Sequence, residues 1–282
     1  RRAPGRYAGP RMTSGVGMPI RVAGLDGTLL AISRGGDGRH QVVSAQIQGR
    51  PVIVKLYGRK RTRFPTLARA FGHRFLVAKT GLSARTRRDT DARILGLWRQ
   101  HGFAVPEVLD LPLPEPDDRP FLVLERVDGA TVRSELRDAR FPIARLEAGL
   151  TRFGAEWCRR HALAEKLREP GLIHSHPGFE HLIDRDGEWV SFDFEYAYTD
   201  PRRVETLVAV EIAGFVASLQ RAAGKRADAL LRVLVAAYPD RDRLARVGHS
   251  ALVGRFPAVD AFTSLVPALR SRGPRKLRAS VG

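Results

Sequence analysis

The sequence predicts an α+β protein with two lobes, the first an antiparallel sheet with one helix and the second mainly helical. Short β-type runs alternate with turn residues between positions 20 and 57, and apolar residues recur at helical spacing beyond position 144. Strands followed by helices are typical of α+β folds. The 282 residues are 43% hydrophobic and 28% charged, which excludes a largely disordered or collagen-like chain, and the single cysteine excludes a disulfide framework.

Short β-type runs bounded by turns define the first lobe. Four strands are predicted, at Ile20–Ala23, Leu29–Ser33, His40–Gln48 and Pro51–Tyr57. Turn residues separate these strands, and the first turn is predicted at Leu25–Thr28. A helix is then predicted from Ser83 to His101, stopped by Gly102, and two further strands at Val105–Leu109 and Phe121–Arg126 flank a proline-rich loop, 111–120.

Helical periodicity dominates the rest of the chain. Apolar and aromatic residues share one face of a predicted helix at Ala144–Leu167. A hairpin follows, with strands Leu182–Ile183 and Trp189–Phe192 joined by an Asp-Gly turn, and then helices at 203–223, 225–237 and 256–270. We therefore expect a basic disordered arm at 1–18, a first lobe at 19–126, a helical lobe at 127–270 and a basic tail at 271–282.

Charge is the most unusual property of the composition. There are 48 Lys and Arg against 30 Asp and Glu, a net charge of +18. The segment Gly58–Arg88 contains ten basic residues and no acid, interleaved with phenylalanines. Such a segment predicts an anionic partner, namely a glycolipid or membrane surface, with nucleic acid as the weaker alternative. No apolar run reaches the length of a membrane span and no signal peptide is evident, so we expect a cytoplasmic protein that is peripheral on the inner membrane face.

Several residues carry candidate chemistry. Lys55 interrupts an apolar strand, where it either faces water or binds phosphate. Asp193 directly follows a strand, where a carboxylate either caps a turn or binds Mg²⁺. His174, His176 and His181 lie within eight residues, so a transition-metal site that includes Asp193 is a further interpretation, although their segment has no helical metal-binding motif.

Taken in order, these residues resemble the protein-kinase-like superfamily, and in particular its compact bacterial lipopolysaccharide-core and Kdo kinases. The resemblance implies that Gly35, Gly36 and Gly38 form the loop that covers the nucleotide and that Lys55 holds its phosphates. It places Asp91 at the acidic position of the C-helix, where the family has Glu, one methylene longer. It also implies a hinge whose backbone meets adenine near Glu125 and Val127, and it makes Asp193, in Asp193-Phe194-Glu195, the ligand of Mg²⁺ or Mn²⁺.

The sequence departs from the family at the catalytic loop. The family pattern H-G-D-x-x-x-x-N aligns without gaps from His174 to His181, so His176 replaces the catalytic Asp and His181 replaces the metal-binding Asn. Imidazole can accept a proton near neutral pH but is a poorer Mg²⁺ ligand than an amide oxygen. The resemblance therefore implies ATP binding with atypical or lost phosphoryl transfer, as in a pseudokinase with a protein partner. The alternative is an active sugar kinase that uses His176.

Overall fold

A computed structural model describes residues 19–22, 25–34, 41–58, 79–80, 83–111 and 120–247 of the chain. The arm at 1–18, the glycines at 35, 36 and 38, most of the basic segment and everything beyond residue 247 lie outside the described residues. The described residues form two compact units, the first from those between 19 and 96 together with 106–111 and 120–126, and the second from 97–105 and 127–247.

The first unit is built on a five-stranded antiparallel sheet whose strands follow each other in chain order. Its strands are β1 (Pro19–Val22), β2 (Leu25–Arg34), β3 (Gln41–Ile47), β4 (Arg50–Leu56) and β5 (Phe121–Glu125). Helix α1 (Ala84–Gln100) comes between β4 and β5. The predicted strands and helix are confirmed with small shifts at their ends, and the predicted α+β class is confirmed with them.

Two details of the first unit differ from the prediction. The segment 25–28, predicted as a turn, belongs to β2 and pairs with β1. Segment 105–109 forms a single β-bridge from Val108 to Leu124 instead of a full strand. Pro106 gives a reason for the second difference, because proline has no N–H to donate to a neighbouring strand.

Alternation along β3 and β4 places the core of this sheet on one face. Val43, Ala45 and Ile47 are buried at every second position of β3, and Val52 and Val54 are buried in β4. Side chains of adjacent strand residues point to opposite faces. Lys55 therefore projects from the face opposite Val54.

The second unit is mainly helical. Its elements are β6 (Ala130–Thr131), α2 (Val132–Arg137), α3 (Ile143–Leu167), β7 (Leu182–Arg185), β8 (Glu188–Ser191), α4 (Val204–Ala223), α5 (Ala227–Ala237) and α6 (Arg241–Val247). β6, β7 and β8 form a small antiparallel sheet. The hairpin and helices α3, α4 and α5 confirm the prediction, whereas β6, α2 and α6 were not foreseen.

Helix α4 lies at the centre of this unit. Within the described residues, the helical stretch Pro201–Ala237 is long and apolar enough to cross a membrane, but 78% of its most apolar window is buried inside the protein. Glu211, in the middle of α4, is fully buried and ion-paired. This degree of burial is typical of a helix in the core of a protein.

Candidate functional site

Lys55 and Asp91 form an ion pair in the first unit. Lys55 Nζ lies 2.7 Å from Asp91 Oδ2, and the two side chains are 11% and 1% exposed. β4 supplies the lysine and α1 the aspartate, as the resemblance implies. The shorter Asp side chain therefore reaches the lysine without the additional methylene of Glu.

Tyr57 and Arg87 complete the surroundings of this pair. The Tyr57 hydroxyl donates to Asp91 Oδ2 at 2.6 Å, so one carboxylate oxygen receives both donors. Arg87 is fully buried and donates to the Gly58 carbonyl at 2.6 Å, which ties the end of β4 to α1. Sequence reasoning did not find Tyr57 or Arg87. A hydrogen-bonded pair of this kind holds the ammonium group in one position, which suits binding of a phosphate oxygen.

In the second unit, His174 anchors the loop that the sequence resemblance aligns with a catalytic loop. Its Nδ1 accepts the backbone N–H of His176 at 3.1 Å, so its proton is on Nε2, which donates to the Phe192 carbonyl at 3.1 Å. Burial, together with the nearby His181, lowers the pKa of His174 to about 4. A neutral histidine with both ring nitrogens engaged holds the loop in place and cannot bind a metal.

His176 has a defined tautomer when it is neutral. The single hydroxyl proton of Ser175 is donated to the Tyr196 carbonyl at 2.6 Å. Ser175 Oγ, 3.2 Å from His176 Nδ1, must therefore accept a proton from that nitrogen. The lone pair of neutral His176 is consequently on Nε2, and this nitrogen is the one that could accept a proton from a substrate hydroxyl.

Asp193 and His181 are brought together at the end of the hairpin. His181 Nδ1 lies 3.5 Å from Asp193 Oδ2, and both side chains are partly exposed, at 23% and 33%. Asp193 has a φ of +72°, a conformation that non-glycine residues seldom adopt and that is enriched at functional sites. The Phe192 N–H donates to the His181 carbonyl at 3.1 Å, which ties the two segments together.

These two side chains fit a hydrated cation better than a dedicated metal site. Among the described residues, no group of three or more His, Cys, Asp or Glu side chains could hold a metal ion. Mg²⁺ is commonly held by one or two carboxylates together with water and substrate phosphates. Asp193 with His181 could hold Mg²⁺ or Mn²⁺ in that way, and the cation would neutralise phosphate charge. The interpretation of all three histidines as a transition-metal site finds no support, because His174 is fully engaged.

A buried polar network supports the start of this loop. Glu211 of α4 accepts Arg160 Nη2 at 2.6 Å and His161 Nε2 at 3.1 Å. Arg160 also donates to the Leu172 carbonyl, two residues before His174. His161 Nδ1 accepts the Tyr238 hydroxyl at 2.8 Å. The helical stripe on α3 predicted that His161 is buried, but nothing local in the sequence predicted that Glu211 would be its partner.

Burial and pairing decide the protonation states in this network. Burial alone would raise the pKa of Glu211, but Arg160 and His161 outweigh it and hold the pKa at about 2. Burial lowers the pKa of His161 to about 4, despite the opposing effect of Glu211. The network is therefore an ionised Glu–Arg pair with a neutral histidine at neutral pH.

One of the two predicted hinge residues, Glu125, is already hydrogen-bonded within the protein. The Glu125 N–H donates to the Glu107 carbonyl at 2.8 Å, and Glu125 Oε2 accepts the Glu107 N–H at 3.1 Å. An adenine contact through the Glu125 N–H is therefore not available in this conformation. Val127 is half-buried in an irregular segment. Its assignment to the hinge stays a prediction, as do those of Gly35, Gly36 and Gly38, which lie outside the described residues.

Comparison of the chain with known protein families and with curated proteins finds no match. Among solved structures, the chain is similar to the kinase domain of Mycobacterium tuberculosis PknI, at 16% identity and a TM-score of 0.41, covering 92% of this chain and 90% of that one. It is also similar to vaccinia related kinase 3, at 14% identity and a TM-score of 0.31, covering 64% of this chain and 52% of that one. The α+β class of this chain follows from the order of its own described elements. The pairing of the β4 lysine with the α1 acid is the contact that the sequence resemblance implies.

Proposed function

We propose that this chain is a kinase-like protein that binds ATP with Mg²⁺ or Mn²⁺ and that its phosphoryl transfer is atypical or lost. The observation that carries the proposal is the 2.7 Å pair between Lys55 and Asp91. A lysine on a sheet, held by a nearly buried acid, is suited to bind nucleotide phosphates. Asp193 and His181 would hold the cation, which supplies positive charge to the phosphates.

Histidine at position 176 is the reason to propose weakened transfer. An aspartate base is ionised and accepts a proton throughout the neutral range, whereas an imidazole accepts one only when it is neutral. The Nδ1–H tautomer of His176 supports a second candidate function, an active sugar or lipopolysaccharide kinase in which Nε2 accepts the proton of the substrate hydroxyl.

Thermal unfolding with ATP tests nucleotide binding. ATP at 100 times its Kd should stabilise the folded state by about 2.7 kcal/mol, which raises Tm by about 5–10 °C. The shift should require Mg²⁺ or Mn²⁺ and should disappear in Lys55→Ala. Lys166→Ala, which removes an exposed lysine of α3, is the matched control and should keep it.

The ATP-induced shift is compared with the nucleotide-free form of each variant, because loss of Lys55 also leaves Asp91 without its ion-pair partner. An equal shift in wild type and Lys55→Ala would refute the assignment of the phosphate-binding residue. No shift with either cation would refute nucleotide binding.

ATP hydrolysis separates the two candidates. A pseudokinase should show no turnover with either cation, whereas an active kinase should hydrolyse ATP slowly and should lose this activity in His176→Ala. Turnover that survives in His176→Ala would exclude His176 as the base.

An anionic glycolipid or membrane surface is the proposed site of action, and the net charge of +18 supports it. Co-sedimentation with anionic vesicles should be strong, and it should be lost when the basic residues of Gly58–Arg88 other than the buried Lys79 and Arg87 are made neutral. Equal binding by that variant would refute this part of the proposal. Nucleic-acid affinity that falls steeply with salt and is unchanged by Lys55→Ala would favour a nucleic-acid-binding protein instead.

A further inference from the structure

A pocket of about 400 Å³ lies between helix α3 and the β7–β8 hairpin, within the second unit. Its volume is within the range of about 300–1,000 Å³ that is usual for small-ligand sites. Phe153 and Glu156 of α3 and Glu188 and Trp189 of the hairpin contribute to its lining. None of these residues takes part in the proposed nucleotide or cation binding.

Two local features build the pocket. Gly149 allows the indole of Trp189 to lie directly against α3, since a Cβ at this position would come within 2.4 Å of the ring. Arg152 Nε donates to the Gly187 carbonyl at 3.0 Å and thereby fixes the hairpin turn to the helix. The walls are therefore held together without a bound ligand.

The pocket contains a hydrogen-bond donor that no described residue pairs with. Trp189 is 8% exposed, and no residue in the described part of the chain accepts a hydrogen bond from its indole N–H. This N–H lies beside Gly149, which also lines the pocket. The N–H does not belong to the buried unpaired atoms of the described residues, so it is accessible and can donate to an acceptor on a ligand.

The pocket also contains a carboxylate that is unpaired within the described residues. No described residue donates a hydrogen bond to Glu156 or forms an ion pair with it. Burial raises the pKa of Glu156, and the nearby carboxylate of Glu188 raises it further, against the opposing effect of Arg160 and Arg159. Both arginines are engaged elsewhere, Arg160 with Glu211 and Arg159 with backbone carbonyls of 101–102.

We propose that this pocket binds a guanidinium or ammonium group on a short apolar stem. The Glu156 carboxylate supplies the counter-charge, the rings of Phe153 and Trp189 contact the stem, and the Trp189 N–H donates to a carbonyl next to it. The cation comes either from a free small molecule or from a basic side chain of a peptide. With a net charge of +18, the protein repels cations in general, so a cation that binds here needs a specific counter-charge. The proposal does not depend on nucleotide binding.

Titration calorimetry with two probes tests the proposal on the full chain. Agmatine carries a guanidinium and an ammonium group on one apolar stem and has no carbonyl, whereas acetyl-Gly-Arg-Gly-amide adds peptide carbonyls. At least one probe should bind to wild type, and Glu156→Gln should weaken its binding at least tenfold. Glu147→Gln removes the same charge from α3 outside the pocket and should leave the affinity unchanged.

Trp189→Phe distinguishes the two sources, because it removes the N–H and keeps an aromatic ring. If a peptide is the ligand, Trp189→Phe should lower the affinity for the peptide several-fold and leave the affinity for agmatine unchanged. The unchanged affinity for agmatine then also shows that the pocket is intact. If a free cation is the ligand, agmatine should bind as tightly as the peptide.

Three outcomes would overturn the proposal. The first is that neither probe binds at millimolar concentration. The second is that Glu156→Gln and Glu147→Gln have the same effect, which would indicate general surface charge. The third is that Glu156→Gln strengthens the binding of a probe, which would show that the Glu156 carboxylate is not its counter-charge.

Discussion

Replacement of Glu211 by Gln should destabilise the second unit more than neutralisation of any exposed charged side chain. Glu211 is 0% exposed, and its carboxylate accepts Arg160 Nη2 at 2.6 Å, His161 Nε2 at 3.1 Å and Trp157 Nε1 at 3.4 Å. Gln keeps the volume but leaves the Arg160 guanidinium, 4% exposed, without its counter-charge.

The expected loss follows from the burial of that pair. Removing one partner of a buried ion pair costs about 3–5 kcal/mol, because the remaining charge stays in a poorly solvating environment. With about 2–4 °C in Tm per kcal/mol for a protein of this size, Tm should fall by about 6–20 °C. The leading measurement is thermal unfolding by circular dichroism at pH 7, where Glu211 is ionised.

A matched control separates the pair from a general charge effect. Glu188→Gln removes a surface carboxylate that pairs with Arg185 at 2.5 Å, and exposed pairs contribute at most about 1 kcal/mol. A loss of Tm in Glu211→Gln no larger than that in Glu188→Gln would refute the argument that this network stabilises the unit.

Three further predictions concern other parts of the chain. The pKa of His174 is lowered to about 4, so the folded state favours the neutral imidazole. Its contribution to the free energy of unfolding should therefore be complete above about pH 6.5 and should be lost as the pH falls towards 4. His174→Gln keeps an acceptor and a donor but cannot titrate, so its Tm should fall less steeply with acid than that of wild type; an identical profile would contradict this. Gly214→Ala should lower Tm by several degrees, because a Cβ would lie 2.3 Å from Pro177 Cγ, whereas Gly96→Ala on α1, with open space around the Cβ, should be neutral or stabilising. Asp91→Asn keeps a hydrogen-bond acceptor but loses the charge that holds Lys55, so the ATP-induced Tm shift should shrink several-fold, and an unchanged shift would contradict a role of the pair in binding.

Local patterns predicted most of the secondary structure. Short β-type runs bounded by turn residues predicted β3 and β4, and apolar residues at helical spacing predicted α3 and α4. The turn expected at 25–28 was wrong because Asp-Gly favours a turn only where pairing does not extend through it, and here these residues pair with β1. The short elements β6 and α2 had too few residues to show a period.

The sequence predicted individual residues of the candidate site better than the contacts between them. Lys55 and Asp91 are 36 positions apart, and their pairing followed from the resemblance, since no local pattern relates a strand residue to a helix residue. Tyr57 joins the same carboxylate and was missed, because a tyrosine at the end of a strand is usual without any such role. No local pattern pointed to the partners of Glu211 on α3, which became apparent only from the packing.

Phosphoryl transfer and nucleotide binding depend on different residues in this proposal. His181 adjoins Asp193, where a cation is proposed to bind, and Ser175 fixes the acceptor nitrogen of neutral His176. If His176 acts in the reaction, His176→Ala should lose turnover, whereas the ATP-induced stabilisation carried by Lys55 should change much less. If only the nucleotide pocket functions, stabilisation by ATP should persist in wild type without turnover. Measurement of both quantities on the same preparation therefore separates loss of phosphoryl transfer from loss of nucleotide binding, because the Lys55–Asp91 pair and the histidine loop lie on different elements.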